Sequence, residues 1–178
     1  MEDRFRTSAG RVGKWGGAQA PRGMNPALLL FLVAGLVYGQ TRLEDLDFLA
    51  GEWVGQGDGA PGAGQGEYSF RWELSKAILV RRSVNTISTV RHEDFMVIFS
   101  ESPRSPLKAT YWDNEGHAIH YLVQVKGNVA MFESETGPPG PKYRLTYTRR
   151  GRNLDGMFEL AERGEVYKTY LTWTSHPK

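Results

Sequence analysis

The chain has 178 residues, 12% of them aromatic and 40% hydrophobic, which is room for one domain and enough apolar mass for a real core. A net charge of +2, with arginine doublets scattered as Arg81-Arg82 and Arg149-Arg150, gives no basic patch and excludes a nucleic-acid footprint. Cysteine is absent, so disulfides, zinc–thiolate sites, iron–sulfur clusters, a thiol nucleophile and a cysteine-linked lipid anchor are excluded.

Residues 1–23 are polar and basic, and an uncharged apolar run, Ala27 to Val37, follows, ending at Tyr38-Gly39. A basic region, an apolar region of about 7–15 residues and small residues before a cut describe a secretory signal peptide. Residues 1–39 are therefore read as an extension and signal peptide cleaved after Gly39, with Met24 an alternative start. Residues 40–178 are read as the mature domain, secreted or periplasmic. The apolar run is short of the roughly 20 residues a membrane-spanning helix needs, so no stable span is expected after cleavage.

Thr41 to Leu49 carries Leu43, Leu46 and Leu49 at three-residue spacing, with Thr41 placed to cap and Glu44-Asp45 in the first turn, predicting a short helix that ends at Gly51. From Gly51 the period changes to two. Tyr68, Phe70, Trp72 and Leu74 alternate with polar residues, and 77–86 and 95–100 continue as more uniformly apolar strands. Residues 107–112 and 117–125 flank the turn Asp113-Asn114-Glu115-Gly116, and 129–133, 143–149, 153–161 and 166–175 follow across further tight turns. About ten short strands joined by hairpins predict an all-β fold, a single antiparallel up-and-down β-barrel with a short N-terminal helix. The glycine-rich stretch from Gly57 to Gly66 is read as a loop at the barrel mouth. It lacks the Gly-Lys-Ser/Thr ending of a phosphate loop and the carboxylates of a calcium loop.

Chemistry is sparse. The four histidines are His92, His117, His120 and His176. His117 and His120, three apart on a strand, face opposite sides and cannot share a metal. His92-Glu93-Asp94 reads as a solvated polar turn, and the arginine doublets as solvated strand or turn positions. No serine sits in a nucleophile elbow, and Glu73, Asp113 and Glu159 read as outward carboxylates or turn residues, so no catalytic residue and no metal site is assigned. The aromatics occur on nearly every strand and either fill the barrel or line an apolar pocket. Phe70, Trp72, Phe99, Tyr111, Tyr121, Phe132, Tyr147 and Phe158, with His120 as a polar handle, are taken as the ligand-binding set. Their inward direction rests on strand parity, which one residue of slip reverses.

Leu49-Ala50-Gly51-Glu52-Trp53 after a short helix resembles the opening of the calycins, the lipocalins and fatty-acid-binding proteins. The closest likeness is to uncharacterised bacterial secreted lipocalin-like proteins, which share a Tyr-x-Asp-Asn-x-Gly hairpin like Tyr111 to Gly116 and a last strand like Lys168 to Leu171. The resemblance implies a barrel closed by Trp53, with a basic residue of the last strand against it; Lys168 is the one available there. Gly51-x-Trp53-x-Gly55-x-Gly57-x-Gly59 also resembles nitrobindins, which hold haem through a histidine near the C-terminus, where this chain has only His176. The function expected is non-catalytic binding of a small hydrophobic molecule without a cofactor. The alternatives are nitrobindin-like haem-dependent chemistry and a filled barrel serving as a protein-interaction module.

Overall fold

The computed structural model describes residues 41–135, 140–162 and 165–178. The predicted signal peptide lies outside the described residues. A 3-10 helix, Leu43–Leu49, opens the fold. Its start is tied by Asp45, whose carboxylate accepts the Arg42 N–H at 2.7 Å, so Arg42 rather than Thr41 occupies the cap position. Leu46 and Leu49 are fully buried, which anchors a helix too short to stand on its own backbone bonds.

Ten strands follow: β1 (Gly51–Gly59), β2 (Gly64–Glu73), β3 (Ile78–Ile87), β4 (Val90–Ser100), β5 (Leu107–Asp113), β6 (Ala118–Lys126), β7 (Val129–Ser134), β8 (Lys142–Arg150), β9 (Asn153–Ala161) and β10 (Lys168–Pro177). Each pairs antiparallel with the next, and β10 pairs with β1, so the sheet closes into an up-and-down barrel. Closure removes the two sheet edges that an open meander of this length would expose.

Two segments differ from the sequence reading. The glycine stretch is mostly strand: Gly55, Gly57 and Gly59 pair with β10, and Gly64 and Gly66 with β3. A Cβ on Gly57 would lie 2.4 Å from the Thr172 carbonyl oxygen, and one on Gly55 would lie 2.6 Å from the Ser175 hydroxyl. These glycines serve close approach of β1 to β10, not loop freedom. His92 to Asp94 is likewise not a turn but the start of β4, because β4 runs on from a tight turn at Ser88.

Burial alternates cleanly on β6, where Tyr121 and Val123 are buried and His120, Leu122 and Gln124 are exposed. Following that parity through the register puts Phe70, Met96, Tyr111, Phe132, Leu145 and Tyr147 on the inner face. The helix lies across the end where β1 begins and β2, β6 and β8 finish. There the Trp53 indole N–H donates to the Leu49 carbonyl at 3.0 Å, and the Trp72 indole N–H donates to the Asp47 carboxylate at 2.8 Å.

Candidate functional site

The inner face has two zones. Next to the helix, Phe70, Leu79, Met96, Ile98, Leu107, Tyr121, Phe132 and Tyr147 are each less than 2% exposed. Phe70 and Tyr147 meet edge to face at 5.3 Å, Phe132 and Tyr147 at 6.1 Å, and Tyr121 and Phe132 at 6.3 Å. Side chains so fully covered border no water-sized space, so this half of the barrel is filled.

Towards the other end the inner face loosens. Tyr111, Ile119, Tyr143, Phe158 and Trp173 pack against the core but remain half-buried. Tyr143 and Phe158 stack at 5.7 Å, and Trp173 meets Tyr147 edge to face at 5.7 Å. Trp173 lies flat on Gly156, where a Cβ would fall 2.0 Å from its ring. Apolar rings on the inner face that keep some exposure outline an upper compartment.

Polar groups flank this compartment. Arg81, Ser83 and Asn85 on β3 share the inner face with His92 and Asp94 on β4 and with Tyr111 and Asp113 on β5. The Arg81 guanidinium is ion-paired with the Asp94 carboxylate, and both side chains are almost wholly buried. His92 has a ring nitrogen 3.0 Å from the Tyr111 hydroxyl and the other 3.0 Å from the Glu115 carboxylate. Tyr111 in turn donates to Asp113 at 3.2 Å. Burial and the Asp113 carboxylate raise the Tyr111 hydroxyl far above its ordinary pKa, so it stays a donor at any ordinary pH.

Asp113 shows the opposite balance. Burial pushes its carboxyl up, but the backbone N–H groups of His117 and Glu115 and the His117 ring outweigh that and hold it below the ordinary carboxylate range. A pKa depressed on folding adds stability above the unfolded carboxylate pKa, and that contribution is lost as pH falls through the folded value. The β5–β6 hairpin, closed by these contacts, should therefore lose protection as pH falls through that value, which amide hydrogen exchange of residues 107–126 at a series of acid pH values would show.

The predicted ligand-binding residues separate into distinct environments. Phe70, Tyr121, Phe132 and Tyr147 belong to the filled zone, Tyr111 and Phe158 to the upper compartment, and Trp72 to the helix-covered end. Two positions are corrected. Phe99 lies one residue beyond the buried Ile98 and across from Lys108, on the outer face. His120 is exposed on the outer face, where a ring nitrogen lies 3.2 Å from the Thr110 hydroxyl. Lys168 is also corrected: it starts β10 at the end remote from Trp53, where its ammonium pairs with Glu165 at 2.7 Å. The cation over the Trp53 ring is Arg149 of β8, 4.7 Å from the ring centre.

Arg81, His92, Asp94 and Asn85 were not anticipated on the inner face. Their signal was available only as parity with Leu79 and Met96. Glu159 does face outward, where Arg144 grips it with two hydrogen bonds of 2.6 and 2.8 Å. The histidines do not fit a haem axial ligand on the nitrobindin pattern. His176 is exposed across from Val54, His117 and His120 are exposed away from the interior, and both His92 nitrogens are engaged.

The outer face of β1 to β5 carries a second feature, a groove of about 640 Å³ lined by Glu52, Arg71, Arg82, Val84, Phe95 and Trp112 among others. Phe95 and Trp112 stack at 5.9 Å, and the Arg82 guanidinium lies 4.6 Å from the Phe95 ring centre. Trp112 is 43% exposed.

No family model and no curated protein matches this sequence. In fold the chain is similar to the crystal structure of Rv2717c from M. tuberculosis, at 16% identity over 76% of this chain and 96% of that one, with a TM-score of 0.56. It is also similar to fatty-acid-binding protein 1 of Echinococcus granulosus, at 12% identity over 74% and 98% of the two chains, with a TM-score of 0.51. At such identities the likeness is one of fold: a closed antiparallel up-and-down β-barrel.

Proposed function

We propose that this barrel binds a small hydrophobic molecule in its upper compartment, without catalysis. The observation that carries the reading is the division of the inner face. Below, aromatic side chains are packed to exclusion of water; above, Tyr143, Phe158, Trp173 and Ile119 point inward yet stay half-exposed beside a polar wall. Apolar lining with a few fixed polar groups is the usual form of a small-molecule site. A fold shared with a protein whose name is that of a fatty-acid binder is in keeping with this. The floor formed by Phe70, Phe132 and Tyr147 limits how deep a ligand reaches, so the ligand contacts the rings above it rather than these.

The test is binding of Nile red, an uncharged apolar dye whose emission shifts in a dry environment. Saturable binding to the full chain is expected, and Phe158→Asp should weaken it about tenfold or more, because a charge would be placed against the apolar body of the ligand. No saturable binding, or binding indifferent to Phe158→Asp in a folded variant, would reject the reading. Export belongs to the same proposal: in a secreting host the mature protein should begin at Gln40, as read by intact mass. Recovery of a chain still carrying its first 39 residues would count against it.

A second reading is favoured by the outer groove. A core filled over half its height, with Phe95, Trp112 and Arg82 stacked and partly exposed outside, also suits an interaction module. Dye binding that survives Phe158→Asp but is lost on Trp112→Ser would transfer the function to that face.

A further inference from the structure

The groove on the outer face holds one charge that the protein itself does not match. Ser69, Arg82, Phe95 and Trp112 stand side by side across β2, β3, β4 and β5. The solvent face of an antiparallel sheet is ordinarily polar, yet this row carries two rings. Phe95 and Trp112 stack with their planes 27° apart, and the Arg82 guanidinium lies over the Phe95 ring. Trp112 and Val84, the latter two residues along the strand from Arg82, remain exposed.

Every carboxylate that lines the groove has a partner. Glu52 is paired with Arg71, Glu67 with Lys178 at 2.6 Å, and Glu93 with Arg91 at 2.7 Å. Asp94 faces inward and is paired with Arg81, and Asp113 is bound to the His117 ring. Of the bases lining the groove, Arg71 and Lys178 are thereby engaged. Arg82 is not: among the described residues its one interaction is with the Phe95 ring. A ring offers it no acceptor oxygen, so its planar fork of N–H donors is open to a ligand.

Size and charge set the complement. The groove, about 640 Å³, falls within the range of about 300–1,000 Å³ usual for small-molecule sites. The Phe95–Trp112 stack offers a flat surface that a further ring covers by offset stacking. One unmatched guanidinium takes one carboxylate, through paired N–H···O bonds. A dianion would bring its second charge beside Glu52 and Glu93 with no base left to meet it. We propose that this groove binds a small planar aromatic monoanion, an aryl carboxylate, with Arg82 holding the carboxylate and Phe95 and Trp112 the ring. The site is on the outside of the barrel and does not rest on ligand binding within it.

The experiment is isothermal titration calorimetry of the full chain at neutral pH with 2-naphthoate and with 2-naphthamide, its uncharged counterpart. At about 20 mM salt the carboxylate should bind with a dissociation constant of about 0.1 mM, about tenfold more tightly than the amide. Raising the salt to about 0.5 M should remove most of that advantage, because Arg82 is exposed to solvent. Arg82→Met should bring the two ligands to within about twofold of each other by weakening the carboxylate alone. Trp112→Ser should weaken both about fivefold or more. Equal affinities on the unmodified chain, or an advantage that persists in Arg82→Met, would overturn the site. So would absence of carboxylate binding up to about 5 mM. The comparison of the two ligands needs no variant, so it decides the matter even where a variant fails to fold.

Discussion

Replacing Arg81 by methionine should lower the unfolding free energy by about 3–5 kcal/mol, measured by urea denaturation followed through tryptophan fluorescence. The size follows from what remains. The Asp94 side chain is 4% exposed, so the variant keeps a carboxylate inside the barrel with its counter-charge gone. Methionine fills most of the vacated volume, which keeps the loss electrostatic rather than a cavity effect. The companion double variant, Arg81→Met with Asp94→Leu, removes both charges and should recover most of the loss, since an apolar pair of similar volume often does as well as a buried ion pair. A double variant no more stable than the single one would show that the pair is not what holds this region together. The neighbouring Arg82→Met should change stability by about 0.5 kcal/mol or less, because Arg82 is exposed on the outer face over Phe95.

Phe132→Ala should cost about 3–5 kcal/mol in the same measurement, whereas Phe99→Ala should cost about 1 kcal/mol. Phe132 is fully buried between Tyr121 and Tyr147, and the antiparallel sheet around it is tied on both sides, so the barrel cannot collapse to fill the space. Phe99 lies on the outer face beside Ile78 and Lys108, where water and neighbouring side chains take up the gap. Equal losses at the two positions would overturn the assignment of inner and outer faces on β4 and β7.

The pair Phe132 and Phe99 marks what the sequence made legible. Strand count, hairpin order and turn positions could be read directly, because Gly116, Gly127 and Gly151 sit at turn positions with φ of 91°, 60° and 59°, which glycine adopts without strain. On β6 the contrast that marks facing is partial: His120, Gln124 and Lys126 alternate with Tyr121, Val123 and Val125, but Leu122 breaks the pattern, and His120 was taken as inward beside Tyr121. Facing was not legible on β4, where Phe95, Met96, Val97, Ile98 and Phe99 are apolar on both sides and offer no contrast. The same loss of contrast hid Arg81. Two adjacent arginines look alike in sequence, yet one enters the barrel and the other covers its outside. The glycines of β1 were misread for a different reason. Glycine signals either freedom or close approach, and only the position of β10 decides between them. Arg149 escaped notice because the cation facing Trp53 was sought on the last strand, while the structure supplies it from β8.

The seam between β1 and β10 has a consequence in time. Trp53 pairs with Pro177 and Gly55 with Ser175, so the first strand made on the ribosome waits for the last. Until then β1 has only β2 beside it, and the rings of the inner face have nothing to close over them. Pairings so distant in sequence carry a heavy loop-closure cost and make folding slow, in the millisecond-to-second range of all-β topologies. The closed barrel therefore cannot assemble before β10 has been synthesised and brought back to β1.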